Sequence, residues 1–187
     1  MTEAFRPVPT EPPKVSPRVV LVGPMGAGKT TAGRLLAQRW GVDFRDTDAD
    51  VERLEGRPIS EIFVDEGEPY FREKERLAVV AGLKTHPGVL ALGGGAVLDP
   101  RTQADLADHT VVFLSVGLTE AVRRVGLGTS RPLLLGNVRG TVKKLLDERA
   151  PIYAGVASAT IDTDGLATAE VADRIEKCLW ELRCTVR

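Results

Sequence analysis

A lysine, two hydroxyl side chains and closely spaced glycines meet in one short stretch, Gly23-Pro24-Met25-Gly26-Ala27-Gly28-Lys29-Thr30-Thr31, whose span from Gly23 to Thr30 satisfies G-x-x-x-x-G-K-[ST] with no mismatch. Those residue types in that order suit the holding of polyphosphate. Glycines let the backbone approach phosphate oxygens closely, and successive N–H groups then point into one concavity at a helix start. Lys29 would reach the β- and γ-phosphates, and Thr30 would offer its hydroxyl to Mg²⁺. The nucleotide contacts expected of the loop are Gly26, Ala27, Gly28, Lys29, Thr30 and Thr31. A glycine-rich turn without a ligand would not need the context found here: the apolar run Val19-Val20-Leu21-Val22 before it and an amphipathic stretch with Leu35, Leu36 and Trp40 after it.

Two carboxylates follow, in Asp46-Thr47-Asp48. Read as the end of a second strand, this tripeptide puts both acids on one face at the carboxyl edge of a nucleotide-binding sheet, one for a metal and one for an acceptor. The first, beside Mg²⁺, stays ionised, while Asp48 could take the proton of an attacking hydroxyl. The plainer reading is an acidic strand-to-helix turn with Asp48 as N-cap. Gly93-Gly94-Gly95 stands after another apolar run, 89–92, where Gly94 and Gly95 could present backbone amides; a glycine triplet alone is a weak signal. Arg72 and Arg149 are candidates for a planar fork around a carboxylate, although most arginines simply face solvent. The stretch 126–139, rich in Gly and Arg and containing Arg131, reads as a mobile lid over the phosphates or as an ordinary surface loop.

Something must position these groups. Short apolar runs at 18–22, 42–45, 89–92, 110–114 and 159–161, with helix-length segments between them, predict five parallel strands in an α/β sheet. Helix signals agree. Asp99-Pro100 reads as N-cap and first-turn proline, Thr119 as a further N-cap, and Thr168 as the start of a last helix with Val171, Ile175 and Leu179 on one face. The stretch from about 49 to 81 is longer than a crossover needs and is broken at Gly56-Arg57-Pro58 and Gly67-Glu68-Pro69, so a small helical insertion is expected there.

At 187 residues and 43% apolar content, one domain with a substantial core is expected over 18–187. The first 17 residues carry Pro7, Pro9, Pro12, Pro13 and Pro17 with little apolar material and read as a flexible leader. A net charge of −1 provides no overall basic field for nucleic acid or an anionic membrane, so any anion site must be local. No stretch approaches the roughly 18 apolar residues of a membrane span, and the N-terminus lacks a secretory apolar core. Cys178 and Cys184 lack metal-type companions and read as free thiols, which fits a reducing cytoplasm. A cytoplasmic monomer is the expectation.

Taken together, Gly-Pro-Met-Gly-Ala-Gly-Lys-Thr-Thr, Asp46-Thr47-Asp48, Phe71-Arg72, Leu92-Gly93-Gly94-Gly95-Ala96, Arg131-Pro132-Leu133-Leu134 and Arg149-Ala150-Pro151-Ile152-Tyr153 resemble shikimate kinase in order and spacing, from about Val19 to Asp162. Only the phosphate loop is specific by itself; the set separates this family from adenylate, gluconate and other small-molecule kinases. The resemblance implies a nucleoside-monophosphate-kinase-like P-loop NTPase fold, a three-layer α/β/α domain with a five-stranded parallel sheet, a helical substrate-binding region at about 49–81 and a mobile lid at about 126–139. It implies ATP and Mg²⁺ as cofactors and shikimate as the small-molecule substrate, phosphorylated on its 3-hydroxyl in aromatic biosynthesis. It also implies roles. Lys29 and Thr30 resemble the phosphate and Mg²⁺ ligands, Asp46 the metal's carboxylate, Asp48 the acceptor-hydroxyl contact and base, and Arg72 with Arg149 the pair on the substrate carboxylate. Gly94 and Gly95 would add backbone donors, Arg131 resembles the lid arginine, and Arg124 the residue that stacks on adenine.

The chain departs from the pattern in places. Thr30 stands where the family mostly has Ser, which keeps the hydroxyl. Ala91 and Leu92 replace Ser or Thr of many members, which bears on metal-water contacts from that strand. Asp164-Gly165-Leu166 lacks an arginine that some members place beside adenine. A kinase for another hydroxylated acid such as gluconate, or a nucleotide-binding regulatory module that has lost turnover, remain the rival readings.

Overall fold

The computed structural model describes residues 15–126 and 137–185. Five strands, β1 (Val19–Val22), β2 (Phe44–Asp46), β3 (Val89–Ala91), β4 (Val111–Ser115) and β5 (Ala159–Asp162), form one parallel sheet in the order β2-β3-β1-β4-β5. Register is set by pairs such as Leu21 with Ala91 and Leu21 with Val112. Because β1 lies between β3 and β4, chain direction across the sheet reverses around it, and a crevice opens at the carboxyl ends of these strands.

Alternation along β1 explains why all of its residues are apolar. Val19 and Leu21 face a core shared with α1 (Lys29–Trp40) and α8 (Thr168–Thr185), while Val20 and Val22 face a second core with α4 (Gly67–Thr85) and Tyr153 of α7 (Val138–Val156). Val171, Ile175 and Leu179 of α8 are buried as their spacing predicts. Between β2 and β3 the chain forms α2 (Thr47–Glu55), α3 (Ile59–Asp65) and α4, which share a small core of Val51, Ile62, Phe71 and Ala78. The remaining elements are a 3₁₀ turn at Ala96–Leu98, α5 (Pro100–Leu106) and α6 (Leu118–Gly126). No helix among the described residues is long and apolar enough to cross a membrane.

Three local expectations need correction. Asp46 alone belongs to β2; Thr47 and Asp48 open α2, so the carboxylates are not alternate residues of a strand, and the N-cap is Asp46, whose Oδ1 accepts from the Asp48 N–H at 3.1 Å. Helix α6 begins one residue before Thr119, and its first-turn amide at Ala121 bonds the Gly117 carbonyl at 2.9 Å. The packed chain also starts earlier than residue 18: Pro17 is buried and Ser16 Oγ lies 3.0 Å from His109 Nδ1. Asp99 does cap α5, accepting from the Arg101 N–H at 2.8 Å, with Pro100 in the first turn.

Candidate active site

Every candidate group that the structure describes lies at or beside the carboxyl edge of the sheet. The loop after β1 turns sharply, with Gly26 and Gly28 at φ of 80° and 87°, a region that L side chains rarely adopt. Gly23, at φ of 145°, has a further reason: a Cβ there would overlap the Leu114 carbonyl oxygen of β4. Ala27 is buried, and α1 opens at Lys29, as the motif requires. Lys29 Nζ donates to the carbonyls of Gly23 at 2.8 Å and Pro24 at 3.0 Å, so its ammonium is folded over the loop. Thr31 is exposed on the first turn. Thr30 Oγ1 donates to Asp46 Oδ2 at 2.8 Å. A hydroxyl and a carboxylate side by side at the end of a phosphate loop are hard oxygen donors of the kind that suits Mg²⁺, and these two residues would hold it, Thr30 directly and Asp46 from behind.

The second half of the crevice is built on the glycine triplet. Two of its glycines, Gly93 and Gly95, are required by space rather than by backbone angle. A Cβ on Gly93 would overlap Asp48 Oδ1, and one on Gly95 would overlap the Arg72 guanidinium. One on Gly94 would lie 3.7 Å from both the Gly23 carbonyl oxygen and the Met25 nitrogen, so this loop abuts the phosphate loop. The Gly93 N–H donates to Thr47 Oγ1 at 2.9 Å in a fully buried bond that ties the start of α2 to the end of β3. The carbonyl of Gly94 accepts from Arg149 Nη1 at 3.2 Å and from the Tyr153 hydroxyl. Arg149, near the middle of α7, is only 8% exposed. Asp48, Arg72 and Arg149 therefore converge on one glycine loop from three different helices.

A fourth charged group, which the sequence reading did not single out, joins them. Glu75 is 2% exposed and bonds Arg72 Nη1 at 2.7 Å, while Arg72 also meets Glu68 at 2.8 Å. Burial pushes the Glu75 carboxyl up to about 7; Arg72 pulls it back, and Asp48 adds to the rise. The signal was present in the spacing. Phe71, Ala78, Val79 and Gly82 mark the buried stripe of α4, and Glu75 is the one charged residue within it. Thr47, hidden between two aspartates, was likewise passed over.

Arg124 of α6 lies across the base of the phosphate loop, donating to the Gly26 carbonyl at 3.1 Å and to Thr163 just after β5. Arg131, with most of the 126–139 stretch, lies outside the described residues.

A phosphate loop on a five-stranded parallel sheet, beside a glycine loop on which two arginines and a carboxylate converge, defines the P-loop kinase class. The comparisons narrow this. The family model for shikimate kinase matches residues 25–180. A shikimate kinase of Salinispora arenicola is 59% identical over 88% of this chain and 99% of its own length, and one of Thermobifida fusca is 54% identical over 86% and 94%. The structure of shikimate kinase from Acinetobacter baumannii in complex with shikimate superposes with a TM-score of 0.85 at 36% identity, covering 89% of this chain and 94% of that one. A gluconokinase from Sinorhizobium meliloti, 16% identical with a TM-score of 0.55, shares the fold alone. The chain belongs to the shikimate kinase family, whose reaction is the phosphorylation of shikimate in aromatic biosynthesis.

Proposed function

We propose that this enzyme transfers the γ-phosphoryl group of ATP to the 3-hydroxyl of shikimate, giving 3-phosphoshikimate and ADP, in the cytoplasm and as a monomer. The observation that carries the reading is the contact between the two loops: Gly94, held by Arg149, abuts the phosphate loop at Gly23 and Met25, with Arg72 packed on Gly95 and Asp48 against Gly93. A carboxylate gripped by Arg72 and Arg149 would bring a ring hydroxyl toward Asp48 and the loop that holds the γ-phosphate.

The rate then comes mainly from positioning and charge. The amides from Gly26 to Thr31 and the Lys29 ammonium neutralise the phosphates, and Lys29 would exchange its present carbonyl partners for phosphate oxygens. Mg²⁺, held by Thr30 with Asp46 behind it, supplies further charge neutralisation when bound. Asp48 orients the hydroxyl and accepts its proton. Arg131 would reach the transferring group from the lid, and Arg124 would lie against the adenine. Gly94 and Gly95 present backbone to the substrate.

Two variants test the assignment. Arg72→Leu is expected to raise KM for shikimate at least ~30-fold while KM for ATP stays near the parent's, since truncating one partner of a buried charge pair costs about 2–5 kcal/mol. Asp48→Asn keeps shape and removes basicity, so kcat should fall by about 10²-fold with a smaller loss of binding. Steady-state kinetics on the folded variants read both; parental constants in either would remove that residue from its role.

A further inference from the structure

Building on the nucleotide reading above, we propose that Thr163 is a positioning residue for the nucleobase, holding the Arg124 guanidinium so that its flat face, not its N–H edge, is offered to the base. A guanidinium has five N–H donors in one plane. Four hydrogen bonds in that plane are already made: Nε to Glu120 Oε1 at 2.7 Å, Nη1 to the Gly26 carbonyl at 3.1 Å and to Thr163 Oγ1 at 3.2 Å, and Nη2 to the Thr163 carbonyl at 2.9 Å. With the edge so occupied, Arg124 is a poor fork for phosphate and a good stacking surface.

Thr163 fixes this orientation because its own hydroxyl has no choice of direction. The residue is fully buried, and Oγ1 donates to the Ser115 carbonyl at 2.9 Å, which commits the single hydroxyl proton. The same carbonyl also receives the Thr163 N–H, at 3.0 Å. The lone pairs of Oγ1 are thereby turned toward Arg124. A charged donor meeting a pre-aimed buried acceptor makes a strong bond at little entropic cost. The lock thus joins Thr163, just after β5, to β4 through Ser115 and, through Arg124 of α6, to the phosphate loop at Gly26.

The test is binding of two probes, ATP and inorganic tripolyphosphate, by calorimetry, with shikimate affinity as a third readout. Thr163→Val is expected to raise Kd for ATP about tenfold, as for loss of a hydrogen bond to a charged group, while tripolyphosphate and shikimate stay within about twofold of the parent. Thr163→Ser, which keeps the hydroxyl, restores ATP binding. Parental ATP affinity in Thr163→Val overturns the proposal, and so does an equal loss for tripolyphosphate, which would mean the residue acts through the loop and not the base. If Thr163→Val does not fold, Glu120→Ala loosens Arg124 from the surface of α6; it should weaken ATP severalfold and spare tripolyphosphate, and parental ATP affinity there overturns the proposal. A parent protein that binds no ATP would instead overturn the nucleotide reading on which this rests.

Discussion

Glu75 has an environment that turns a charged side chain into a reporter of pH. Its carboxyl lies near 7 in the folded chain against an ordinary 4.5, because burial outweighs the attraction of Arg72. Between those two values the folded state therefore binds more protons than the unfolded one, so this group's contribution to stability is fully present below 4.5 and is lost as pH rises through about 7. Glu75→Gln should remove that dependence. Urea unfolding of parent and variant at pH 5 and pH 8 checks it: the variant should gain stability relative to the parent on going to the higher pH, and a constant difference would show that Glu75 does not titrate in this range. Asp99 and Glu120, both held at about 2 by hydrogen bonds from Arg101 and Arg123, work in the opposite direction, but they are common to both proteins and cancel in the difference. Ion pairing by Arg72 thus has a dual character, since the side chain proposed to grip a substrate carboxylate already neutralises an internal one.

At the scale of elements, the junction between β2 and α2 shows what a sequence does and does not display. The strands and the phosphate loop were legible, because an apolar run and a glycine pattern are local signals. Both aspartates of Asp46-Thr47-Asp48 were found, but the tripeptide was read as strand, which hid the capping role of Asp46 and the structural role of Thr47. Capping depends on where the backbone leaves the sheet, and a three-residue β2 leaves it two residues sooner than the strand reading of Asp46-Thr47-Asp48 suggests. Glu75 escaped for a related reason: an acid in an apolar stripe has meaning only once its partner Arg72 is known to share the burial. Thr47→Val should expose the cost directly. It strands the buried Gly93 N–H without an acceptor, for a loss of about 1–3 kcal/mol, read as a lower urea midpoint with an unchanged slope. A parental midpoint would mean that the Gly93 amide finds another partner.

For the molecule as a whole, the phosphate loop and the glycine triplet follow the adjacent strands β1 and β3, so the same sheet sets their separation. Helices α2, α3 and α4 share a small core around Val51, Ile62 and Phe71, and α4 also reaches the second large core through Val79 and Leu83. At the N-terminal end of the described residues, Pro17 is buried and Ser16 meets His109. Removing residues 1–14 should leave the melting temperature within about 1 °C of the parent, whereas removing 1–17 also deletes buried Pro17 and the Ser16 contact with His109 and should lower it by a few degrees, since about 1 kcal/mol shifts a domain of this size by roughly 2–4 °C. Equal melting temperatures for the two truncations would return the boundary to residue 18.

The whole arrangement stands or falls on which acceptor receives the phosphoryl group. Release of ADP from ATP and Mg²⁺, followed by a coupled assay over shikimate, quinate, gluconate and nucleoside monophosphates, measures that choice. The two-arginine cleft beside Asp48 predicts a kcat/KM for shikimate at least ~10²-fold above every other acceptor, because a rival that misaligns its carboxylate or hydroxyl loses the transition-state positioning. ADP release that is independent of shikimate, or faster with gluconate or a nucleoside monophosphate, would contradict it.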